Sequence, residues 1–210
     1  MTIKTIRIKN KAELSPQAER EVKAMIITLA MFAAGMIVGA GIMKNLNSTE
    51  LSIDFTNIFD IFTQNRNEQK AYQIFLNSLS VNFLFLTLTF CSGLSCIGIP
   101  IITAVPIIKG IGYGMLSGYL LSVYKMSGIG YYLLTVFPGA VIAAAILMLA
   151  CSSAGLMAAD ILSVILAKKQ AESSNILHYI KRFLIYAVIS LGASAIDTAL
   201  TKAFSYLFEF

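Results

Sequence analysis

The sequence predicts an all-α, polytopic membrane protein with about five transmembrane helices. Of its 210 residues, 57% are apolar and only 13% are charged, whereas soluble domains are usually about 45–50% apolar and about 25% charged. The mean hydropathy is +0.77. A soluble domain of this size needs a polar surface, and this composition has too few charged residues to supply it. The composition therefore excludes a soluble domain. The uncharged runs are instead long enough to cross the hydrocarbon layer as helices of about 20 residues.

The first predicted span covers Ala24–Met43, and residues 1–23 form a basic cytoplasmic arm ahead of it. Ser15 and Pro16 are typical of an N-cap and a first helical position, so the helix is expected to begin there. A cleaved signal peptide is the competing interpretation. We favour a transmembrane helix, because the basic arm is long and further apolar runs follow.

Residues 44–75 are predicted to be an extracytoplasmic segment with an amphipathic helix. Four apolar residues recur at i, i+3, i+4 and i+7, which is the spacing of one helical face. These residues, the outer docking stripe, are Phe55, Ile58, Phe59 and Phe62. The segment is too short and too polar to span, so the helix is expected on the membrane surface. Its stripe either enters the lipid or enters a partner's groove.

Residues 76–210 are predicted to form the remaining transmembrane bundle. The second and third spans are expected at about Leu76–Ile97 and Ala104–Tyr124. The turn between them is placed near Pro100, because a proline disfavours helix in the residue before it. The last span is expected at about Phe183–Thr201.

The fourth apolar run, Met126–Ala167, is about twice as long as one straight crossing helix. Two arrangements fit it. One is a long helix bent at Pro138-Gly139. The other is a main span near Ile129–Leu149 followed, past Ser152-Ser153, by a short half-helix, Ala154–Ala167. We favour the second.

Basic residues favour a cytoplasmic N-terminus and an extracytoplasmic C-terminus in the cell membrane. With five crossings, eleven Lys and Arg lie on the cytoplasmic side and five on the outer side, which is the bias of the positive-inside rule. The eleven are Lys4, Arg7, Lys9, Lys11, Arg20, Lys23, Lys109, Lys168, Lys169, Lys181 and Arg182; the five are Lys44, Arg66, Lys70, Lys125 and Lys202.

Small residues indicate where helices pack closely. Two Gly-x-x-x-Gly patterns, Gly35 to Gly39 and Gly114 to Gly118, allow helix backbones to approach each other. The candidate packing or partner residues are Gly35, Gly39, Gly110, Gly112, Gly114, Gly118, Pro138 and Gly139. Packing within the chain and packing against a partner helix are both open, and they can coexist.

Two acids, Asp160 and Asp197, fall in or near apolar spans. Such residues are costly in a bilayer and are therefore functional candidates. The alternatives are positional. Asp160 is eight residues from Lys168, about 12 Å along a helix, which would bring it near the inner interface. Asp197 either faces the outer interface or pairs with a neighbouring helix.

The sequence favours a protein that is not an enzyme and that uses no cofactor and no metal. Its one histidine, His178, is expected in a cytoplasmic loop, so no Ser–His pair would form inside the membrane. The sequence contains neither a P-loop motif nor a His-Glu-x-x-His motif. Cys91, Cys96 and Cys151 do not have metal-ligand spacing, and we interpret them as small packing residues.

Residues 71–167 and the last helix resemble the stage II sporulation protein M family. The resemblance is carried by the run from Gly93 to Gly98, by Pro106-Ile107-Ile108-Lys109-Gly110-Ile111-Gly112-Tyr113-Gly114, by Phe137-Pro138-Gly139, by Ala154-Gly155-Leu156 and by Asp197-Thr198. Family members commonly have His-Gly-x-x-Glu after the proline of the fourth helix. Here Pro138 is followed by Gly139-Ala140-Val141-Ile142-Ala143, and the acid is missing.

The resemblance implies a non-enzymatic membrane scaffold for septal thinning and engulfment during endospore formation. It implies peptidoglycan remodelling through cell-wall hydrolases, namely a lytic transglycosylase and an amidase/endopeptidase, and no nucleic-acid partner. The alternative is a small-solute transporter or channel subunit, with helices broken near Pro100, Pro138 and Ser152-Ser153 lining a path. The sequence has neither an inverted repeat nor a charged track, which favours the scaffold.

Overall fold

The computed structural model describes residues 16–46, 69–167 and 173–204, and these residues contain five long helices. They are α1 (Pro16–Leu46), α2 (Ala71–Gly93), α3 (Ile99–Met126), α4 (Gly128–Leu166) and α5 (Ser173–Phe204). A short 3₁₀ helix, Cys96–Gly98, joins α2 to α3. Each long helix is long and apolar enough to cross a membrane, which confirms the predicted all-α polytopic fold. The outer docking stripe lies outside the described residues.

Prolines begin two of the helices. α1 begins at Pro16, as predicted. α3 begins at Ile99 with Pro100 in its first turn, where a residue without an N–H costs the helix no hydrogen bond. Pro106 lies inside α3. The helix therefore begins five residues before Ala104, where the sequence analysis placed the start of the third span.

α3 and α4 form a tight helical hairpin at Lys125. The backbone of Lys125 is non-helical, with φ 50° and ψ −127°. This one residue separates α3 from α4, although helical hydrogen bonds continue almost without interruption from one helix to the other. A Cβ atom at Gly128 would lie 2.9 Å from the Leu120 carbonyl carbon and 2.9 Å from the Tyr124 Cβ. A glycine is required there because the two backbones approach so closely.

α4 runs without a break through Ser152 and Ser153, so the predicted half-helix at Ala154–Ala167 is wrong. The Ser152 hydroxyl donates to the Leu149 carbonyl at 2.9 Å, and the Ser153 hydroxyl bonds to that of Tyr186 at 3.1 Å. Both hydroxyls are thereby satisfied without a break in the helix. α4 has 39 residues, about 58 Å at ~1.5 Å per residue, which exceeds the ~30 Å thickness of a hydrocarbon layer.

The irregular part of α4 lies next to Pro138. Tyr132–Val136 is a π-helical segment. Pro138 has no N–H to donate, and its ring crowds the preceding turn of the helix. The π segment lies in that preceding turn, where it widens the helix. The observed helix is therefore continuous, as in the other arrangement, and its irregular segment lies just before Pro138 rather than at Pro138-Gly139.

α4 is the central helix, and it packs against all four others. α2 and α5 pack against α4 and against each other, and α1 packs mainly against α3. The core between α2, α3, α4 and α5 includes Leu86, Val105, Leu147, Ala154 and Phe183. Large apolar side chains on the outside of every helix are exposed, as expected for a surface in contact with lipid.

Ion pairs place three helix ends at the same face of the bundle. Near the start of α1, Arg20 Nη2 lies 3.1 Å from Oδ1 of Asp160, which is near the end of α4. Arg182 near the start of α5 lies 2.8 Å from Glu21 of α1. α1 and α5 therefore run in one direction and α4 in the opposite direction, as five alternating crossings require.

α1 and α3 are held together by glycine-mediated backbone contact. A Cβ at Gly39 would lie 2.9 Å from the Met115 amide nitrogen, and one at Gly114 would lie 2.9 Å from the Met36 Cα. The facing pairs are Gly35 with Ile107, Gly39 with Met115, Gly110 with Met36, Gly114 with Met36 and Gly118 with Met43. Residue numbers rise together along both helices, so the two are parallel. Gly112 is the exception, because no atom lies within 4 Å of its Cβ position.

Two residues expected on the cytoplasmic side, Lys109 among its basic residues and His178 in a loop, lie in helices instead. Lys109 is buried inside α3, because Pro100 begins this helix rather than ending a turn. His178 lies in α5, which begins at Ser173, before the expected Phe183. Removing Lys109 from the cytoplasmic count leaves ten basic residues against five, and the bias still favours a cytoplasmic N-terminus.

Replacing Gly114 with Leu is expected to destabilise the bundle, because the added side chain would meet the backbone of α1. Overpacking of this kind costs about 1–3 kcal/mol or more. Thermal unfolding of the detergent-solubilised protein measures the effect. Gly112→Leu is the matched control and is expected to change stability little. Equal stability of the two variants would contradict the α1–α3 contact.

A reporter fused after Lys169 is expected to be active only if it works in the cytoplasm, and one fused after Lys125 only if it works outside. The expectation follows from the excess of basic residues on one side of the membrane. External labelling of the Lys169 fusion would contradict the orientation.

Candidate functional site

A cluster of polar side chains lies in the middle of the bundle, where α2, α3 and α5 meet. Lys109 Nζ donates to Asn82 Oδ1 at 2.9 Å, and Asn82 Nδ2 donates to Ser194 Oγ at 3.4 Å. Ser190, one turn before Ser194 on α5, is buried beside them. We call Asn82, Lys109, Ser190 and Ser194 the central polar cluster.

The depth of this cluster makes it unusual. Lys109 is ten residues from Ile99, where α3 begins, or about 15 Å along the helix. Asn82 is the middle residue of α2. Because the hydrocarbon layer is about 30 Å thick, both residues lie near its centre. Ionisable residues at that depth are costly and mark functional sites.

Aromatic rings and an amide oxygen surround the lysine ammonium. Lys109 Nζ lies 4.8 Å from the centre of the Phe85 ring and 5.8 Å from that of Tyr113, distances at which a ring face attracts a cation. Among the described residues, no carboxylate lies within salt-bridge distance of Lys109. The lysine is therefore held by neutral groups.

A small cavity adjoins the cluster, with room for about one water molecule. Its walls are both polar and apolar: Asn82, Phe85, Leu86, Lys109, Ala143, Ile146, Leu147 and Ser190. A water there would have the ammonium, the amide and a hydroxyl as hydrogen-bond partners, which is the number that buried waters typically use.

Asp197, a predicted intramembrane acid, is buried between α5 and α4. It packs on Gly139, where a Cβ atom would lie 2.7 Å from the Asp197 Cβ. This glycine follows Pro138 and the π-helical segment Tyr132–Val136, and π segments are frequent at functional sites. Gly139, a candidate from the sequence, therefore leaves the space between the helices that the acid occupies.

One face of α5 joins the acid to the central polar cluster. Asp197 is three residues after Ser194, a rise of about 4.5 Å. Thr198 donates to the Ser194 carbonyl at 2.8 Å, and Thr201 donates to the Asp197 carbonyl at 2.8 Å. The buried polar residues on this face are Ser190, Ser194, Asp197, Thr198 and Thr201.

Asp160, the second predicted acid, lies outside this interior. Its side chain is 47% exposed where it pairs with Arg20, at the end of the bundle where α4 leaves the membrane. Exposed pairs of this kind contribute about 0–1 kcal/mol. The interpretation that places Asp160 near an interface is therefore the one that fits.

The described residues contain no group of three or more His, Cys, Asp or Glu side chains that could hold a metal ion. Cys151 is buried, with its sulfur 3.9 Å from the Thr89 hydroxyl, which fits its interpretation as a packing residue. Cys91, in contrast, is exposed.

Sequence reasoning missed the central polar cluster because Lys109 was counted with the cytoplasmic basic residues, although it falls inside the predicted third span. The available signal was Pro100, which is as typical of the first turn of a helix as of a turn before one. Counted from Pro100, Lys109 falls at mid-depth. Asn82 gave a weaker signal, as a single amide at the centre of an uncharged run.

Comparison with known protein families shows to which family the chain belongs. The model of the stage II sporulation protein M family matches residues 28–202. The chain belongs to the stage II sporulation protein M family. No curated protein and no solved structure matches it. The family match begins within α1 and ends within α5, so it includes both glycine patterns, the central polar cluster and Asp197. This member of the family is thus a multi-pass sporulation membrane protein.

Removing one partner of the Lys109–Asn82 bond is expected to cost more than removing both. Asn82→Leu leaves the buried ammonium without its oxygen, at a cost of about 1.5–3 kcal/mol. Lys109→Met leaves the amide oxygen without its donor, at a cost of about 1–3 kcal/mol. The double variant is expected to be more stable than Asn82→Leu alone in thermal unfolding.

Spore formation by cells carrying the double variant then separates a structural from a functional role. A stable double variant that forms no spores would indicate that the cluster acts beyond holding helices together. If the double variant loses as much stability as the two single variants lose together, the bond itself is contradicted.

Proposed function

We propose that this member of the stage II sporulation protein M family is a non-enzymatic membrane scaffold. It holds cell-wall hydrolases, a lytic transglycosylase and an amidase/endopeptidase, for septal thinning and engulfment during endospore formation. Family membership supports the sporulation role. The observation that carries the scaffold role is the interlocked bundle, in which α1 and α3 meet backbone to backbone and α4 contacts every other helix.

An interlocked bundle suits a platform better than a moving carrier. Alternating access requires one group of helices to move against another around a central site. Here the backbone of α1 lies against that of α3, and the polar side chains of α2, α3 and α5 bond to one another. Movement between these helices would break both kinds of contact.

The transporter alternative has lost most of the features that favoured it. α3 has Pro100 in its first turn instead of breaking there, and α4 passes intact through Ser152 and Ser153. The π-helical segment before Pro138 is the remaining irregularity in these spans. The cavity at the central polar cluster has room for about one water molecule, which is far below the ~300 Å³ of a typical small-molecule site.

The scaffold would present its partners with the membrane face opposite the Arg20–Asp160 ion pair. α1 ends and α2 begins on that face. The positive-inside bias assigns this face to the outside of the cell, where hydrolases of the wall act. The proposal therefore places docking on residues 44–75 and on its Phe55, Ile58, Phe59 and Phe62 stripe.

Changing Phe59 and Phe62 together to Ser is expected to abolish co-purification of the hydrolases from sporulating cells, while the protein still inserts and accumulates. The physical reason is the loss of two large apolar anchors from a groove-binding face. Asn57→Ser, on the opposite side of the same predicted helix, is the matched control and is expected to co-purify normally.

Normal co-purification of the double Ser variant would contradict docking through the stripe and would leave the transmembrane faces as the attachment. Solute uptake into vesicles containing the purified protein tests the whole proposal. Saturable uptake that Lys109→Met removes would contradict the scaffold role and support the transporter.

A further inference from the structure

The lipid-facing surface of α2 carries a stripe of polar residues along the whole helix. Its members are Gln73, Asn77, Ser80, Leu84, Thr87 and Cys91, which we call the α2 stripe. All six are exposed, and Leu84 is the one aliphatic residue among them. Exposed apolar residues, among them Leu76, Val81 and Leu88, flank the stripe on both sides.

The spacing of the stripe is that of a helix pair. Its members are separated by 4, 3, 4, 3 and 4 residues, the 3.5-residue repeat that keeps one seam facing a partner helix in a left-handed pair. Because a straight helix has 3.6 residues per turn, a 3.5-residue stripe drifts slowly around it, and two such helices keep their seams in contact by coiling around each other. Six positions in this repeat cover the full width of the membrane.

The chain itself does not cover this seam. The opposite face of α2 packs on α4 and α5 through Ile74, Leu86 and Thr89, and Phe90 stacks on Tyr179 with ring centres 5.4 Å apart. Within the part of the chain that the structure describes, the hydroxyls of Ser80 and Thr87 have no hydrogen-bond partner. Polar groups left facing hydrocarbon are costly.

We propose that the α2 stripe is the contact between two copies of this chain, with the two α2 helices parallel about a twofold axis normal to the membrane. Both copies insert with the same orientation, so their α2 helices meet in parallel with equal residues at equal depth. Such a contact is isologous, the commonest symmetry of homo-oligomers.

The chemistry of the stripe fits a copy of itself. Amides and hydroxyls both donate and accept hydrogen bonds, so Asn77, Ser80 and Thr87 can each bond to the same residue of the other copy. Ser, Thr, Asn and Gln are the residues that hold transmembrane helices together through hydrogen bonds. The stripe carries no charge, so two copies do not repel each other. The inference does not depend on the scaffold proposal.

Disulfide formation at Cys91 tests the contact. Cys96→Ser and Cys151→Ala leave Cys91 as the single cysteine of the chain. Two Cys91 residues facing each other in a parallel pair lie about 6 Å apart at their Cα atoms, within the range for a disulfide. Mild oxidation of proteoliposomes is expected to give a product of twice the 22.8 kDa chain mass.

A cysteine scan supplies the matched control. In the background without native cysteines, Leu84→Cys and Thr87→Cys are expected to cross-link well, and Phe83→Cys, exposed on the same helix but off the stripe, is expected to cross-link poorly. Replacing Asn77, Ser80 and Thr87 together with Leu is expected to weaken dimerisation about twentyfold, since one such hydrogen bond is worth roughly threefold.

Three results would overturn the proposal. The first is an absence of the double-mass product at Cys91 in proteoliposomes. The second is equal cross-linking at Phe83 and on the stripe, which would indicate random collision. The third is a product in native membranes whose mass differs from two chains, which would show that another protein's helix covers the stripe.

Discussion

The backbone contact between α1 and α3 sets the position of the lysine at the centre of the bundle. A Cβ at Gly110 would lie 3.2 Å from the Cα of Gly35, so α3 touches α1 at this residue. Neighbouring residues on a helix differ in direction by about 100°. Lys109 therefore points to one side of the α1 contact, and on that side it meets Asn82 of α2. A larger residue at position 110 would move α3 and displace the lysine from its partner.

The bundle uses the two forces that remain available to helices in lipid. Apolar surface gains little by moving from lipid to protein, so association depends on close packing and on hydrogen bonds. α1 and α3 use close packing at glycines, and α2, α3 and α5 use the hydrogen bonds of the central polar cluster. α4 has the most buried apolar span and fills the space between these two groups.

The sequence was sufficient for the number of spans and for the small-residue faces of the helices, but it left open whether those faces pack within the chain or on a partner. Both are local patterns: runs without charge, and small residues four apart that lie on one face. It was insufficient for Lys109 and for α4, because in each case the answer depends on a neighbouring helix. A lysine at mid-depth is tolerated because Asn82 and Phe85 face it, and both of these residues lie on another helix. The Ser153 hydroxyl is hydrogen-bonded to that of Tyr186, 33 residues later, so its position in the middle of α4 leaves no hydroxyl unpaired there. The closeness of Gly139 to Asp197 could not be predicted for the same reason.

The surplus length of α4 has a consequence for the membranes in which the protein can reside. A helix whose apolar length equals the bilayer thickness is penalised when that thickness changes, because apolar residues become wet or polar residues enter lipid. α4 has about 58 Å of helix for a hydrocarbon layer of about 30 Å. Apolar side chains of α4 therefore remain in the hydrocarbon when the layer is somewhat thicker or thinner. At the helix that contacts all the others, a change in thickness thus draws few polar side chains into lipid.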